Sequence, residues 1–411
     1  MQPNQEIKSK EDLLKHFGSS QKLEICNLQQ MERCLEINVP PKVWEDASNK
    51  NLLSFSKEFV QETKVFKFGY REIKHIYLIS FLPNLTELSL SSNNISDISS
   101  ISKLKNLKIL DLESNSIEDI SALESLPDLT LLYLSKNKLT SYTLALPNLV
   151  YLSLSYNKLQ DKSGLQYSPK LENINLSATE TTDLSTIPPQ LLGLKVLYLS
   201  SNNLKEISYL SNFVDLQILY LGENEQLQNI APLQFCTQLT YLSIAATSIA
   251  DIWPLHFLKN LKTLNIDNTK VVDLHPLQHL NKLEKIYAYD TCIIDVSPLS
   301  KLTQLIQLSI WNNQITNVDT LKHHKNFSKY AVSNQKVPAT DELKFYTKIL
   351  SVHSSNKQIR KIQAENRASK IRESMTRYRE YVNLNINEQI RALNMKIEIW
   401  AQFIQNSNAD Q

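Results

Sequence analysis

Glycine is nearly absent from this chain. Its 411 residues include five, Gly18, Gly69, Gly164, Gly193 and Gly222, and no two are close. A phosphate-cradling loop or a dinucleotide fingerprint needs clustered glycines, so that backbone N–H groups can approach the phosphates. Both are excluded. Cysteine is also sparse. Cys26, Cys34, Cys236 and Cys292 form no CxxC pair, which removes a disulfide framework and a zinc ribbon from consideration. No run of about 18 apolar residues occurs, and the N-terminal stretch lacks the apolar core of a signal peptide. The expectation is a chain with no membrane span in a reducing, cytoplasmic compartment. Net charge is only +2, too small for a whole-chain nucleic-acid or membrane-surface binder.

Catalytic signatures are missing too. His275 and His279 stand four apart but straddle Pro276, and no HExxH or Gly-x-Ser-x-Gly pattern is present. The sequence therefore predicts no catalytic residues, no metal, no cofactor and no enzyme activity.

What the chain does have is a repeat. From Leu85 it reads LTELSLSSNNISDISSISKLKN, and from Leu107 LKILDLESNSIEDISALESLPD. The frame recurs at Leu129, Leu149, Leu171, Leu194, Leu216, Leu239, Leu261, Leu283 and Leu305, with a degenerate first copy at Thr63. Twelve tandem units thus fill residues 63–326, nine of 22 residues, one of 20 and two of 23. Positions 4 and 6, such as Leu88 and Leu90, alternate with polar residues as in a half-buried strand. Position 9 is Asn at 93, 115, 137, 157, 202, 224 and 313, and Thr at 179, 247, 269 and 291. An amide there can donate to and accept from the backbone where the strand ends, which a hydroxyl does less completely. One unit cannot bury its apolar face alone; stacking does so.

These residues resemble the 22-residue class of leucine-rich repeats. The nearest likeness lies in return-arm signatures such as Asp251-Ile252-Trp253-Pro254-Leu255 and Asp295-Val296-Ser297-Pro298-Leu299. That class includes a regulatory subunit of the type-one protein phosphatase, axonemal proteins and the bacterial internalins. The resemblance implies an α/β solenoid, a curved horseshoe with a parallel concave sheet. It also implies protein binding on the concave face, with no phosphatase-contact residue to carry over. An internalin-like role calls for a secretion signal and a surface anchor, neither of which the sequence displays.

In this frame positions 3, 5, 7 and 8 line the concave sheet. More than half of the chain's 17 tyrosines fall there: Tyr70, Tyr133, Tyr151, Tyr156, Tyr198, Tyr220, Tyr241, Tyr287 and Tyr289, joined by Trp311. Tyr favours strands in any case, but Tyr and Trp also dominate binding hot spots. Tyr133, Tyr151, Tyr198, Tyr220, Tyr241, Tyr287, Tyr289 and Trp311 are the candidate partner-binding residues. Ser89, Ser153, Ser243 and Ser309 between them leave room for a partner. Glu87, Asp111, Glu113, Glu223, Asp267 and Asp290 make the face mildly acidic. With only Lys67, Lys136 and Lys285 as basic residues there, single-stranded nucleic acid is not the expected ligand.

The flanks differ from the repeats. Residues 1–62, with an expected short helix at Lys10–Phe17 and a Pro40-Pro41 break, read as an N-terminal cap. Residues 327–340 read as a terminal half repeat and cap. Residues 341–411 read as a helical or coiled-coil segment that either packs back on the solenoid end or associates with itself or another chain. Lys357–Arg379 carries eight basic and two acidic residues. Within it Ile362, Gln363, Arg367 and Arg372 resemble the IQ motif that binds calmodulin-like proteins, departing at Ala368 where that motif usually has Gly. Three functions follow as expectations: an intracellular scaffold, adaptor or enzyme-regulatory subunit; a secreted or injected microbial effector binding a host protein; and, as the least supported, an enzyme with a concave-face site.

Overall fold

The computed structural model describes residues 23–25, 53–55 and 61–326. The chain divides into two compact units. Of the described residues, 23–25, 53–55, 61–204 and 212–221 belong to the first and 205–211 and 222–326 to the second.

In the first unit β1 (Leu23–Ile25) and β2 (Leu53–Phe55) pair in parallel. Eight repeat strands follow in chain order: β3 (Val65–Lys67), β4 (Glu87–Ser89), β5 (Ile109–Asp111), β6 (Leu131–Tyr133), β7 (Tyr151–Ser153), β8 (Asn173–Asn175), β9 (Val196–Tyr198) and β10 (Ile218–Tyr220). They pair in parallel with each coil in step with the next, so that Leu88 faces Leu110 and Leu197 faces Leu219. The second unit repeats the pattern with β11 (Tyr241–Ser243), β12 (Thr263–Asn265), β13 (Lys285–Tyr287) and β14 (Gln307–Ser309). All twelve repeat strands occupy positions 3 to 5 of their repeats.

The core runs along the inside of the coils. In one coil Leu85, Leu88, Leu90, Ile95, Ile98, Ile101 and Leu104 are all buried. Each apolar slot contributes on the order of 1.5–3 kcal/mol of burial. Position 9 closes the bend after the strand. The Asn157 Nδ2 donates to Leu134 O and Leu154 O, both at 2.9 Å, while its Oδ1 accepts from Leu139 N at 3.0 Å. Asn93, Asn115, Asn137, Asn202 and Asn313 make the same kinds of bond. Where Thr stands instead, at 179, 247 and 269, its hydroxyl donates to the carbonyl three residues back, at 2.7 Å.

The helical half of the expected α/β solenoid consists of 3-10 turns of three to five residues, such as Ser99–Lys103 and Trp253–Phe257. A 22-residue coil leaves too little chain for a longer α-helix on these arms. Asp opens many of them: Asp97, Asp119, Asp251 and Asp295 each accept, at 2.8 Å, from the N–H two residues ahead. Proline at 232, 254, 276 and 298 sits near the start of its turn, where a missing N–H costs nothing.

The 20-residue coil, Leu129–Asn148, has no 3-10 turn. Its arm forms an extended bridge, Ser141 to Asp161, and Tyr142 fills the slot held by Ile98 and Ile120 in earlier coils, fully buried. The next arm crosses so closely that a Cβ on Gly164 would lie 2.7 Å from the backbone of Thr143 and Leu144. Gly164 N instead donates to Tyr142 O at 2.9 Å. Burial pushes the Tyr142 phenol well above its ordinary value, opposed by the hydroxyl of Ser168.

The expected helix at Lys10–Phe17, the half repeat at 327–340, the helical segment 341–411 and the IQ-like Ile362, Gln363, Arg367 and Arg372 lie outside the described residues.

Candidate functional site: the aromatic sheet face

Alternation along the strands buries position 4 and leaves most of positions 3 and 5 half-exposed or exposed on the open face. In the first unit this face carries two aromatic pairs. Tyr133 and Tyr151 meet at 4.7 Å between ring centroids with planes 35° apart. Tyr198 and Tyr220, direct partners in register, stack at 4.7 Å and 17°. In the second unit Tyr289 and Trp311, both at position 7, stack at 4.1 Å and 29°. Tyr241 starts β11 and Tyr287 ends β13. All eight candidate aromatics are half-buried: each ring leans on the sheet and keeps one surface in solvent. Contacts of this kind contribute about 0.5–1.5 kcal/mol beyond area burial.

Position 8 behaves differently. Every residue there, from Tyr70 through Lys136, Tyr156 and Ala246 to Asn312, has φ between 53° and 62°. The left-handed turn leaves Tyr70 84% and Tyr156 57% exposed, while Asp290 and Asn312 at the same position stay half-buried. Lys136 Nζ lies 5.9 Å over the Tyr156 ring.

The room expected at Ser153 and Ser243 is already taken, since both are buried. Neighbouring hydroxyls pack there: Ser153 Oγ meets Ser135 Oγ at 2.5 Å, and Ser155 Oγ donates to Ser135 Oγ at 2.9 Å. Ser89 Oγ donates to Asp111 Oδ2 at 2.7 Å.

The carboxylates are partly matched. Lys67 pairs with Glu87 at 2.5 Å and Lys136 with Glu113 at 3.3 Å. Burial, then the charge of Asp111, raises the Tyr133 phenol, and burial with Tyr220 raises Tyr198. Asp267 is held above the usual carboxylate range by burial, against the Tyr289 N–H that donates to its Oδ1 at 2.6 Å. Asn312 Nδ2 donates to Asp290 Oδ1 at 2.8 Å.

The arm side offers little chemistry. His275 Nδ1 lies 2.6 Å from Asp273. His256 stacks on Trp253, and burial, Lys259 and His279 lower its imidazole. Among the described residues no group of three or more His, Cys, Asp or Glu is placed to hold a metal. A dent lined by His75, Asp97 and Ser99 has a volume of about 20 Å³, room for a water rather than a substrate.

Comparison with known proteins agrees with this geometry. Leucine-rich-repeat family models match residues 83–125 and 193–234, as paired repeats, and residues 145–165, as a single repeat. The chain is a leucine-rich-repeat protein. Among solved structures, this leucine-rich-repeat chain is similar to an internalin of Listeria monocytogenes, with 29% identity and a TM-score of 0.55 over 70% of this chain and 78% of that one. It shares its fold with a leucine-rich-repeat protein of Leptospira interrogans, at 21% identity and TM-score 0.59, over 86% of this chain and 98% of that one. It also shares the fold of the ectodomain of an Arabidopsis thaliana membrane receptor kinase, solved in complex with Casparian strip integrity factor 2. That likeness has 16% identity and TM-score 0.50, over 77% of this chain and 44% of the ectodomain. A search of curated protein sequences finds no match. No helix among the described residues is long and apolar enough to cross a membrane.

Proposed function

We propose that this leucine-rich-repeat protein is a non-catalytic binding protein that grips a partner protein through the aromatic sheet faces of its two units. The observation that carries the reading is the set of three ring pairs, Tyr133–Tyr151, Tyr198–Tyr220 and Tyr289–Trp311. Their packing against the sheet fixes the rings before a partner arrives, so little side-chain entropy is lost on binding. Tyr241 and Tyr287 extend the patch of the second unit. The receptor ectodomain solved in complex with Casparian strip integrity factor 2 supports this use of the fold.

In this reading the protein is an intracellular scaffold, an adaptor or an enzyme's regulatory subunit, for which a phosphatase is one candidate. Residues 1–62 and 327–340 cap the repeats. The segment 341–411 adds self-association or, through Ile362, Gln363, Arg367 and Arg372, a calmodulin-like partner. The test is capture from native lysate with the intact chain beside a Tyr198→Ser/Tyr220→Ser/Tyr287→Ser variant. A protein retained only by the intact chain supports the reading, and identical captured sets overturn it.

The internalin likeness favours a second reading, an exported microbial protein whose same faces bind a host protein. Recovery of the chain from culture medium rather than from the cell interior would favour it.

A further inference from the structure

The second unit's sheet face pairs carboxylates with stacked rings. Tyr289 and Trp311 stack at 4.1 Å. Asp267 is tied to the Tyr289 backbone N–H, and Asp290 to the Asn312 amide. Asp267 is half-buried, and burial disfavours its charged form. A cation brought against it would restore what desolvation removes. A guanidinium also suits the exposed surface of a Tyr–Trp stack. In this unit, positions 3, 5, 7 and 8 from Gly222 onward hold three acidic residues, Glu223, Asp267 and Asp290, against one lysine, Lys285.

The chain itself contains the complementary charge. Lys357–Arg379 has eight basic and two acidic residues, a net of +6 in 23 residues. It begins 31 residues after Asn326, a tether that reaches up to about 100 Å when extended. The four strands β11–β14 span only about 15 Å across the sheet, so the tether sets no limit. Linkage in one chain also supplies an effective concentration on the order of 1 mM, at which weak, partly exposed ion pairs suffice.

We propose that Lys357–Arg379 docks on its own chain's second-unit sheet face, with basic side chains against Asp267 and Asp290 and over the Tyr289–Trp311 stack. The segment then occupies the surface offered to the partner. This rests on the reading of that face as a binding surface.

The test is zero-length carbodiimide cross-linking of the full chain, which joins a carboxylate and a lysine amine only when they touch. Unlabelled and ¹⁵N-labelled protein are mixed equally, and the linked peptides are identified by mass spectrometry. The expected links join Lys357, Lys361 or Lys370 to Asp267 or Asp290. Each linked pair is wholly light or wholly heavy, and the links disappear in about 1 M salt, where screening shortens to about 3 Å. Absence of these links, links from these lysines mainly to other carboxylates, or light–heavy pairs from a second copy would each overturn the proposal. A full-length Arg360→Glu/Lys361→Glu/Arg367→Glu/Lys370→Glu variant should lose the Lys357 links as well. If links are absent while the tyrosine variant still loses its captured partner, self-docking fails and the binding face stands.

Discussion

Tyr198 and Tyr220 stand opposite each other in register on β9 and β10, their rings stacked 4.7 Å apart with planes 17° from parallel. The pair follows from strand geometry, since the register that aligns Leu197 with Leu219 in the core also aligns the two rings outside it. Removing one ring should cost about 1 kcal/mol. Tyr198→Ser, Tyr220→Ser and the double variant, compared by denaturant unfolding, should show coupling of roughly 0.5–1.5 kcal/mol. Strict additivity would mean the rings do not interact in solution.

The asparagine at position 9 is a structural residue. Asn157 is buried and bonded to Leu134 O, Leu154 O and Leu139 N. Asn157→Ala strands these groups and should cost at least about 2 kcal/mol. Asn157→Thr should recover part of that, because Thr already fills the slot in other coils with one bond to the carbonyl three residues back. Equal loss in both variants would contradict this account of the slot.

Position 8 carries strain in every coil. Ala246 has φ 53°, a region that costs L-residues about 1–2 kcal/mol. Ala246→Gly should raise the unfolding midpoint by roughly 0.5–1 kcal/mol equivalent, and Ala246→Val should lower it. Thermal melts check both, and a fall with Gly would show that the turn tolerates Ala without strain.

Asp267 links stability to pH. Its carboxyl is held above the ordinary value by burial, so the folded state binds its proton more tightly than the unfolded chain. The stabilisation this gives is present at low pH and lost as pH rises through the folded value. Asp267→Asn keeps an acceptor for the Tyr289 N–H and removes the charge. In about 1 M salt, where the basic segment is released, its melting temperature should exceed that of the parent at pH 7, with the gap closing near pH 3. A gap that widens on acidification has the wrong sign.

Much of this fold is legible in the sequence because a repeat reports each slot many times. The strands at positions 3 to 5, the buried leucines and the two-way bonding of asparagine all follow from that pattern. The position 8 turn was hidden by scarce glycine. Tyr, Ser, Lys, Ala, Glu, Asp and Asn occupy it, and the one available signal is that Val, Ile and Thr never do. The packing of the short coil was also hidden. The repeat frame puts Tyr142 in the core slot of Ile98 and Ile120, but nothing local foretells how closely Gly164 of the next coil approaches the backbone there. At the candidate site, strand position placed the tyrosines, but which rings pair depends on side-chain lean. Tyr133 meets Tyr151 from a different repeat position, a diagonal contact that no in-line register predicts.

The central claim is that the aromatic sheet faces, rather than the return arms, hold the partner. The direct measurement is the affinity of a captured partner by calorimetry for three full-length proteins: the parent, Tyr198→Ser/Tyr220→Ser/Tyr287→Ser, and Tyr167→Ser/Phe235→Ser/Phe257→Ser. The last set alters exposed aromatics on the arms. The account predicts at least about a tenfold loss, about 1.4 kcal/mol, for the sheet variant, and affinity near that of the parent for the arm variant. Unchanged affinity in the sheet variant, with loss in the arm variant, would contradict it.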